Sequence, residues 1–448
     1  MDVSGQKVVV VGAGRTGVAA AELLARSGAN VTLSDSEIPD NVSLIQGSLS
    51  GLNVEFELGR HEVERFVEVD LVVLSPGVPP GIEPVRAAEQ AGVPVLGEME
   101  FACRFSGSRL IAVTGTNGKT TATTLVHRMI KEAGRTVLLA GNNEFPLSEA
   151  VVVRPRPEFV VLEVSSYALE RVETFRPEVA VFLNVTPDHL ERYADMDDYR
   201  RTKMRMFAQQ MASDTAVING DDPQMCADAG ALEAKKLFFS LEREVDNGVF
   251  VSEGDIVAKL GSERKCLVPL EEVALTGRHN LANVVAGLCV CLALDLPEEA
   301  YRTALKAFSG LEHRMEFVAK RDGVTFINDS KATNIDALEK ALMSMEAPVI
   351  LIAGGRGKGS DYASLRDLVK ARVKALVLVG EDAPLIETAF GDLVPVSRAD
   401  SVDEAVKRAR ADASDGDCVL LSPACASFDM FRNFEERGET FKAAVLNL

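Results

Sequence analysis

The sequence predicts an α/β protein of three domains: a Rossmann-like N-terminal domain over residues 1–97, a central P-loop ATPase-like parallel sheet over 98–310 and a C-terminal Rossmann-like domain over 311–448. Three observations predict it. At 448 residues the chain is longer than one hydrophobic core usually organises. Short apolar runs alternate with helical patterns along its whole length. Glycine-bearing or polar clusters follow those runs, where an open α/β sheet collects its ligands.

Composition narrows the function classes. The 67 acidic against 48 basic residues leave a net charge of −19, which argues against nucleic acid or an anionic membrane as the main partner. The seven cysteines are scattered without C-x-x-C spacing, as expected of reduced thiols in a cytosol. Strand residues begin at Lys7 without a charged-then-apolar leader, and the longest apolar run, Val284 to Leu294, is far short of the ~20 residues of a membrane span. These features predict a cytoplasmic protein with no membrane insertion; a monomer is expected.

In the first domain, Lys7–Val11 reads as a buried strand, followed by Gly12-Ala13-Gly14-Arg15-Thr16-Gly17 and a helix with Val18, Ala21, Leu24 and Ala25 on one face. This is an intact G-x-G-x-x-G. A second strand, Val31–Ser34, ends at Asp35, where a ribose-binding acid would sit. Alone, these features predict a nicotinamide-dependent oxidoreductase. The strand Leu71–Leu74 then meets the turn Ser75-Pro76-Gly77-Val78-Pro79, and Val93–Leu96 closes the unit.

In the central domain an apolar run, Ile111–Val113, breaks into Thr114-Gly115-Thr116-Asn117-Gly118-Lys119-Thr120-Thr121 and then a helical pattern. Backbone N–H groups of such a turn point at phosphate oxygens, Lys119 can reach the β/γ-phosphates, and the Thr120 hydroxyl can ligate Mg²⁺. Val113 stands where the first glycine of the usual pattern belongs. Val126, Met129, Ile130 and Ala133 share a helix face, and Gly134 stops the helix. The strand Phe159–Leu162 ends at Glu163, placed as a P-loop protein places a carboxylate beside its metal. Val179–Leu183 leads into Asn184-Val185-Thr186-Pro187-Asp188-His189. Lys203, by itself, reads as one more solvated lysine. Asn280 and Asn283 share one face of a helix start; Asn280 as a simple cap and both as readers of a purine edge are equally open. The loop alone also permits a nucleotide-switch protein without group-transfer chemistry.

The third domain alternates strands Val324–Ile327, Val349–Ile352, Ala375–Leu378 and Val419–Leu421 with helical patterns. Just past the strands lie Asn328-Asp329-Ser330-Lys331-Ala332-Thr333-Asn334, Gly354-Gly355-Arg356-Gly357-Lys358-Gly359 and Ser422-Pro423-Ala424-Cys425-Ala426-Ser427.

Thr114–Thr121, Asn184–His189, His279–Asn283, His313-Arg314, Asn328–Asn334 and Ser422–Ser427, in this order, resemble the Mur ligase family of peptidoglycan synthesis. The stretch from Ser422 through Gly438 is most similar to the members that add D-glutamate. The resemblance implies an ATP-dependent ligase acting on UDP-N-acetylmuramoyl-L-alanine and D-glutamate through an acyl phosphate, with two Mg²⁺. By the resemblance, Gly115 through Thr121 hold the phosphates and a Mg²⁺ that Glu163 also ligates. His189 and Lys203, the latter as a carbamate, serve a second Mg²⁺, and Asn142 lies near the reacting phosphate. Asn280, Asn283, Arg314, Asp329 and Lys331 attend the nucleotide. Thr333, Lys358, Ser427 and Phe434 match D-glutamate positions, and Arg15, Thr16, Asp35 and Gly77 hold the uridine diphosphate in place of a dinucleotide. Asn143-Glu144 depart from the family's usual Ile-Gly, and Ser36-Glu37 lack the basic residue sometimes present after Asp35.

Overall fold

The computed structural model describes residues 1–142, 145–188, 192–345, 347–357, 359 and 361–448. Of the sequence-derived site residues, His189 and Lys358 lie outside the described set, as do Asn143 and Glu144. The chain forms two compact units, Met1–Ser309 and Gly310–Leu448. The first carries two sheets and the second carries one.

Strands β1 (Lys7–Val11), β2 (Asn30–Asp35), β3 (Val54–Leu58), β4 (Leu71–Leu74) and β5 (Val95–Gly97) form an all-parallel sheet in the order β3-β2-β1-β4-β5. The chain winds outward from β1 in one direction to β3, then returns to β4 on the other side. That reversal opens a crevice beyond the carboxyl ends of β1 and β4. The glycine loop after β1 and the Ser75–Val78 turn after β4 both lie there. Gly17 permits the close fit, because a Cβ at this position would collide with the Gly12 carbonyl.

The second sheet has nine strands: β6 (Arg109–Thr114), β7 (Val137–Gly141), β8 (Phe159–Glu163), β9 (Val179–Phe182), β10 (Thr215–Asn219), β11 (Lys235–Ser240), β12 (Asn247–Ser252), β13 (Asp255–Leu260) and β14 (Glu263–Pro269). Their order is β14-β13-β12-β11-β10-β9-β6-β8-β7. Pairing is parallel from β7 to β12, so the expected parallel sheet is present; β13 and β14 extend it as an antiparallel ribbon. Winding again reverses around β6, so the phosphate loop that follows it opens at a second switch point. Helix Lys119–Glu132 buries Leu125, Val126, Met129 and Ile130 against helices Arg278–Ala293 and Glu298–Ala307.

One apolar cluster joins these two sheets. Val10, Leu33 and Leu96 of the first share it with Leu110, Leu162 and Phe182 of the second, with Phe101 of helix Glu98–Cys103 among them. Helix Leu147–Val152 packs on both Glu98–Cys103 and Arg15–Arg26.

In the second unit, β15 (Glu316–Arg321), β16 (Val324–Asn328), β17 (Val349–Gly354), β18 (Val373–Val379), β19 (Val396–Arg398) and β20 (Cys418–Leu421) take the order β15-β16-β20-β17-β18-β19, parallel except for the edge pair β15–β16. Both faces are covered, one by a cluster containing Leu351 and Leu420 and the other by one containing Ile350 and Val419, as alternation along central strands requires.

Phe101→Ala empties a fully buried position in the joint core. It is expected to cost about 3–5 kcal/mol, read as a lowered midpoint in chemical unfolding; a loss below about 1 kcal/mol would show that the two sheets do not depend on this contact.

Candidate active site

The phosphate loop is held by its neighbours as well as by its own Lys119. Asn184, just past β9, accepts the Asn117 N–H at 2.9 Å through Oδ1 and donates to the Asn117 carbonyl at 3.0 Å through Nδ2. The Thr116 hydroxyl donates to the Thr186 carbonyl at 3.2 Å and accepts the Thr186 N–H at 3.0 Å. Gly118 has φ +84°, and a side chain there would strike the amide of Asn283. Asn283 itself is buried, and its Nδ2 has no hydrogen-bond partner among the described residues. Asn280 Nδ2 donates to the Thr276 carbonyl at 2.8 Å.

Two lysines converge on one carbonyl. Lys119 Nζ donates to Gly115 O and Thr116 O, both at 2.8 Å, and Lys203 Nζ donates to Gly115 O at 3.0 Å. Lys203 is 1% exposed, which corrects the reading of it as a solvated side chain. Its ammonium lies over the Tyr199 ring, 4.6 Å from the centroid. Burial first, then the charge of Lys119, lowers its pKa to about 7, against the opposing charge of Asp188. Helix periodicity could not reveal this, because Lys203 is buried by the loop after β6, which is remote in sequence.

Glu163, the last residue of β8, pairs in register with Val113 and is 5% exposed. Asn142 is tied to it twice, by N–H to the Glu163 carbonyl at 2.9 Å and by Nδ2 to Oε1 at 3.3 Å. The other carboxylate oxygen, Oε2, is buried and has no hydrogen-bond partner among the described residues. Stranding an acidic oxygen this way is costly unless a cation or donor meets it.

Asn142 and Glu163 line a cavity of about 420 Å³ together with residues of the glycine loop. Arg15, Thr16, Asp35 and Gly77 all line it. Asp35 is committed to local backbone, accepting Ala13 N–H at 2.6 Å and Glu37 N–H at 3.0 Å. Arg15 forms a two-point ion pair with Glu149, at 3.2 Å for each bond. Ser75 and Glu98, which motif reading did not single out as site residues, also line the cavity. Ser75 Oγ is buried with no hydrogen-bond partner among the described residues.

In the second unit the strand-end clusters are clamped by Arg437, another residue to which the motifs assigned no role. It is 1% exposed; Nη1 donates to Cys425 O at 3.1 Å, Nη2 to Ser330 O at 2.8 Å and Nε to Ser330 Oγ at 3.0 Å. This fixes Asn328–Asn334 against Ser422–Ser427. Lys331 Nζ lies 5.4 Å from the Phe434 ring centroid. Ser427 is buried, its carbonyl accepting the Met430 and Phe431 N–H groups, while Thr333 and Phe434 are half-buried. Asp329 accepts from Ser422 Oγ at 2.9 Å and Met315 N–H at 3.2 Å. Burial raises its pKa to about 7, despite those bonds and the charge of Arg314.

Three family models match in succession: Mur ligase MurD-like N-terminal domain at residues 6–97, Mur ligase middle domain at 113–291, and Mur ligase glutamate ligase domain at 313–425. The chain is 46% identical over 449 residues to a UDP-N-acetylmuramoylalanine–D-glutamate ligase of Pelotomaculum thermopropionicum, covering 100% of this chain and 99% of that one. The chain belongs to the Mur ligase family. A second relative of the same description, from Geotalea uraniireducens, is 43% identical with 100% and 99% coverage. Among solved Mur ligase structures, UDP-N-acetylmuramate-alanine ligase of Thermotoga maritima has 16% identity and a TM-score of 0.53, covering 99% of each chain. MurF ligase of the same organism in complex with ADP has 18% identity and a TM-score of 0.54, covering 99% of this chain and 96% of that one. At such identities the likeness is one of fold, and it matches the α/β architecture of three sheets. No helix among the described residues is long and apolar enough to cross a membrane.

The buried Asp329 yields a signed pH dependence. Between the ordinary carboxylate value near ~4 and about 7, the folded protein keeps a proton that the unfolded chain has released, so this group lowers stability as pH rises through that window. Asp329→Asn is expected to lose less stability than wild type between pH 5 and pH 8 in chemical unfolding. Equal losses would assign the proton elsewhere.

Proposed function

We infer that this Mur ligase is an ATP-dependent amide ligase that adds D-glutamate to UDP-N-acetylmuramoyl-L-alanine, a step of peptidoglycan precursor synthesis. The observation that carries the reading is full-length identity of 40–46% to several ligases of that description. A nicotinamide-dependent oxidoreductase, suggested by Gly12–Gly17, does not account for the phosphate loop or for Glu163.

The reaction couples two displacements. The substrate carboxylate takes the γ-phosphoryl group of ATP, releasing ADP and forming an acyl phosphate. The amine of D-glutamate then attacks the acyl carbon, phosphate leaves, and the nitrogen loses a proton. Phosphoryl transfer of this kind is mainly positioning and charge neutralisation. Gly118 through Thr121 offer backbone N–H groups and a helix N-terminus to the phosphates, and Lys119 supplies a cation. Asn283 lies beside Gly118 and Asn280 is on the same helix; both would meet the nucleotide base. Arg15, Thr16, Asp35 and Gly77 bind the uridine diphosphate end of the acid substrate, whose carboxylate then points along the cavity towards Asn142 and Glu163. In the C-terminal unit, Thr333, Ser427 and Phe434, with Lys358, receive D-glutamate, and Arg314, Asp329 and Lys331 attend the nucleotide.

The Oε2 of Glu163, buried and without a hydrogen-bond partner among the described residues, is the observation that fits a divalent cation, since Mg²⁺ prefers hard oxygen ligands. Thr120 and Glu163 would hold one Mg²⁺, and His189 with Lys203 would serve a second; bound there, the ions neutralise developing phosphate charge. An ammonium at Lys203 would oppose the metals, whereas its amine is poised for conversion. The unprotonated nitrogen adds to CO₂, loses a proton and becomes a carbamate whose single negative charge is shared by two oxygens. The enzyme works in the cytoplasm, in keeping with its unpaired thiols.

The testing assay is phosphate release with ATP, UDP-N-acetylmuramoyl-L-alanine and a panel of amino acids: release dependent on D-glutamate and on the nucleotide sugar is expected, and release without either would overturn the reading. Lys119→Ala is expected to lower turnover ~10²-fold or more with the fold intact by circular dichroism. Lys203→Ala and Lys203→Arg are both expected to lose most activity, because arginine keeps a charge but cannot form the carbamate. CO₂ depletion should slow the wild-type enzyme and bicarbonate restore it; a near-normal Lys203→Arg enzyme would sink the carbamate. Ser427→Ala is expected to raise the KM for D-glutamate well above that for ATP.

A further inference from the structure

The wall of the substrate cavity contains an acidic side chain that the assigned roles leave unused. Glu98 opens helix Glu98–Cys103, immediately after β5, and is 4% exposed. It lines the same cavity as the glycine loop, Ser75, Gly77, Asn142 and Glu163. Its Oε1 accepts the Ser148 N–H at 2.8 Å, from the first turn of helix Leu147–Val152. This anchor fixes the side chain between two helices at the wall of the cavity.

We propose that Glu98 is a specificity-determining residue for the nucleotide-sugar substrate, hydrogen-bonding through its second carboxyl oxygen to an oxygen of that substrate. The inference rests on the function proposed above and names a contact beyond it.

The charge pattern of the cavity favours this use. Of the ionisable residues lining it, Arg15 is paired with Glu149, and Asp35 has each of its oxygens met by a backbone N–H. Glu163 faces the opposite requirement, an acid awaiting a cation. A third ionised carboxylate on this wall would repel a substrate carrying a diphosphate and a carboxylate. Burial raises the Glu98 pKa in spite of the Ser148 hydrogen bonds, favouring the neutral acid. A neutral carboxylic acid is a hydrogen-bond donor, and phosphate, sugar and carboxylate oxygens are acceptors. Because burial disfavours its charged form, Glu98 adds recognition with less repulsion than an exposed carboxylate would. Glutamine reproduces that donor at nearly the same length, whereas alanine removes it and the Ser148 anchor together.

The test compares Glu98→Gln and Glu98→Ala with wild type. Calorimetry reads the binding of UDP-N-acetylmuramoyl-L-alanine, steady-state kinetics read the KM for each of the three substrates, and thermal unfolding reads the fold. Glu98→Ala is expected to weaken nucleotide-sugar binding about tenfold, the scale of one lost buried hydrogen bond, while the KM values for ATP and D-glutamate stay within about twofold. Glu98→Gln is expected to keep binding within about threefold of wild type. If Glu98→Ala binds the nucleotide sugar as wild type does, the proposal is wrong. It is also wrong if Glu98→Gln loses binding as severely as Glu98→Ala, or if all three KM values rise together with a fall in the unfolding midpoint, since Glu98 is then only a tie between helices. Should Glu98→Ala fail to fold, Glu98→Met, which fills similar space without a hydrogen-bonding group, is expected to weaken nucleotide-sugar binding about tenfold, and wild-type binding by it would overturn the proposal. Wild-type protein that does not bind the nucleotide sugar would overturn the function proposed above, and this contact with it; the variant results bear on the contact alone.

Discussion

The first unit depends on a continuous apolar core that ties its two sheets together. Val10 and Leu33 lie in the same buried cluster as Leu162 and Phe182, so the carboxyl ends of β1 and β8 hold fixed positions. The glycine loop and Glu163 are strand-end features of those two strands. Their placement along one cavity therefore follows from the way apolar side chains fill the space beneath them, where even a single methylene is felt. Without that core, each sheet would still have its switch point, but the two would not face a common space.

Each unit carries electrostatic cost at its own strand ends. Glu163 has a buried oxygen without a partner among the described residues, Lys203 is an amine with almost no exposure, and Asp329 retains its proton towards neutrality. Each is unfavourable for folding alone, and each becomes useful when a charged reactant or ion enters. The surrounding bonds hold these groups in place: Asn142 ties Glu163, Gly115 O orients Lys203, and Ser422 orients Asp329. Arg437 does comparable work in the second unit. Its guanidinium donates to carbonyl and hydroxyl oxygens of two loops and so sets their spacing.

Much of this was legible in the sequence. Strand–glycine–helix order placed the phosphate loop, since tight turns and close backbone approach demand glycine locally. Apolar runs ending in polar residues marked Glu163, Asn184 and the clusters after β16, β17 and β20, because central parallel strands are buried on both faces and end at the ligand edge. Three sheets of α/β type follow from the same alternation. Motif order pointed to the Mur ligase family, which the full-length relatives establish.

Other features were decided only by tertiary structure. The antiparallel ribbon β13–β14 pairs through hydrogen bonds whose register composition does not encode. Lys203 stands in a polar helix, Met196–Met204, that by itself reads as solvated; a loop from another strand buries it. Ser75 and Glu98 belong to the cavity because two domains meet there, and neither lies in a pattern that chemistry imposes on neighbouring residues. Local sequence determines what each strand, turn and helix start can do, since backbone geometry and side-chain chemistry act over a few residues. Burial, partner and pKa are set by residues far apart in the chain, so they exist only once the core has closed.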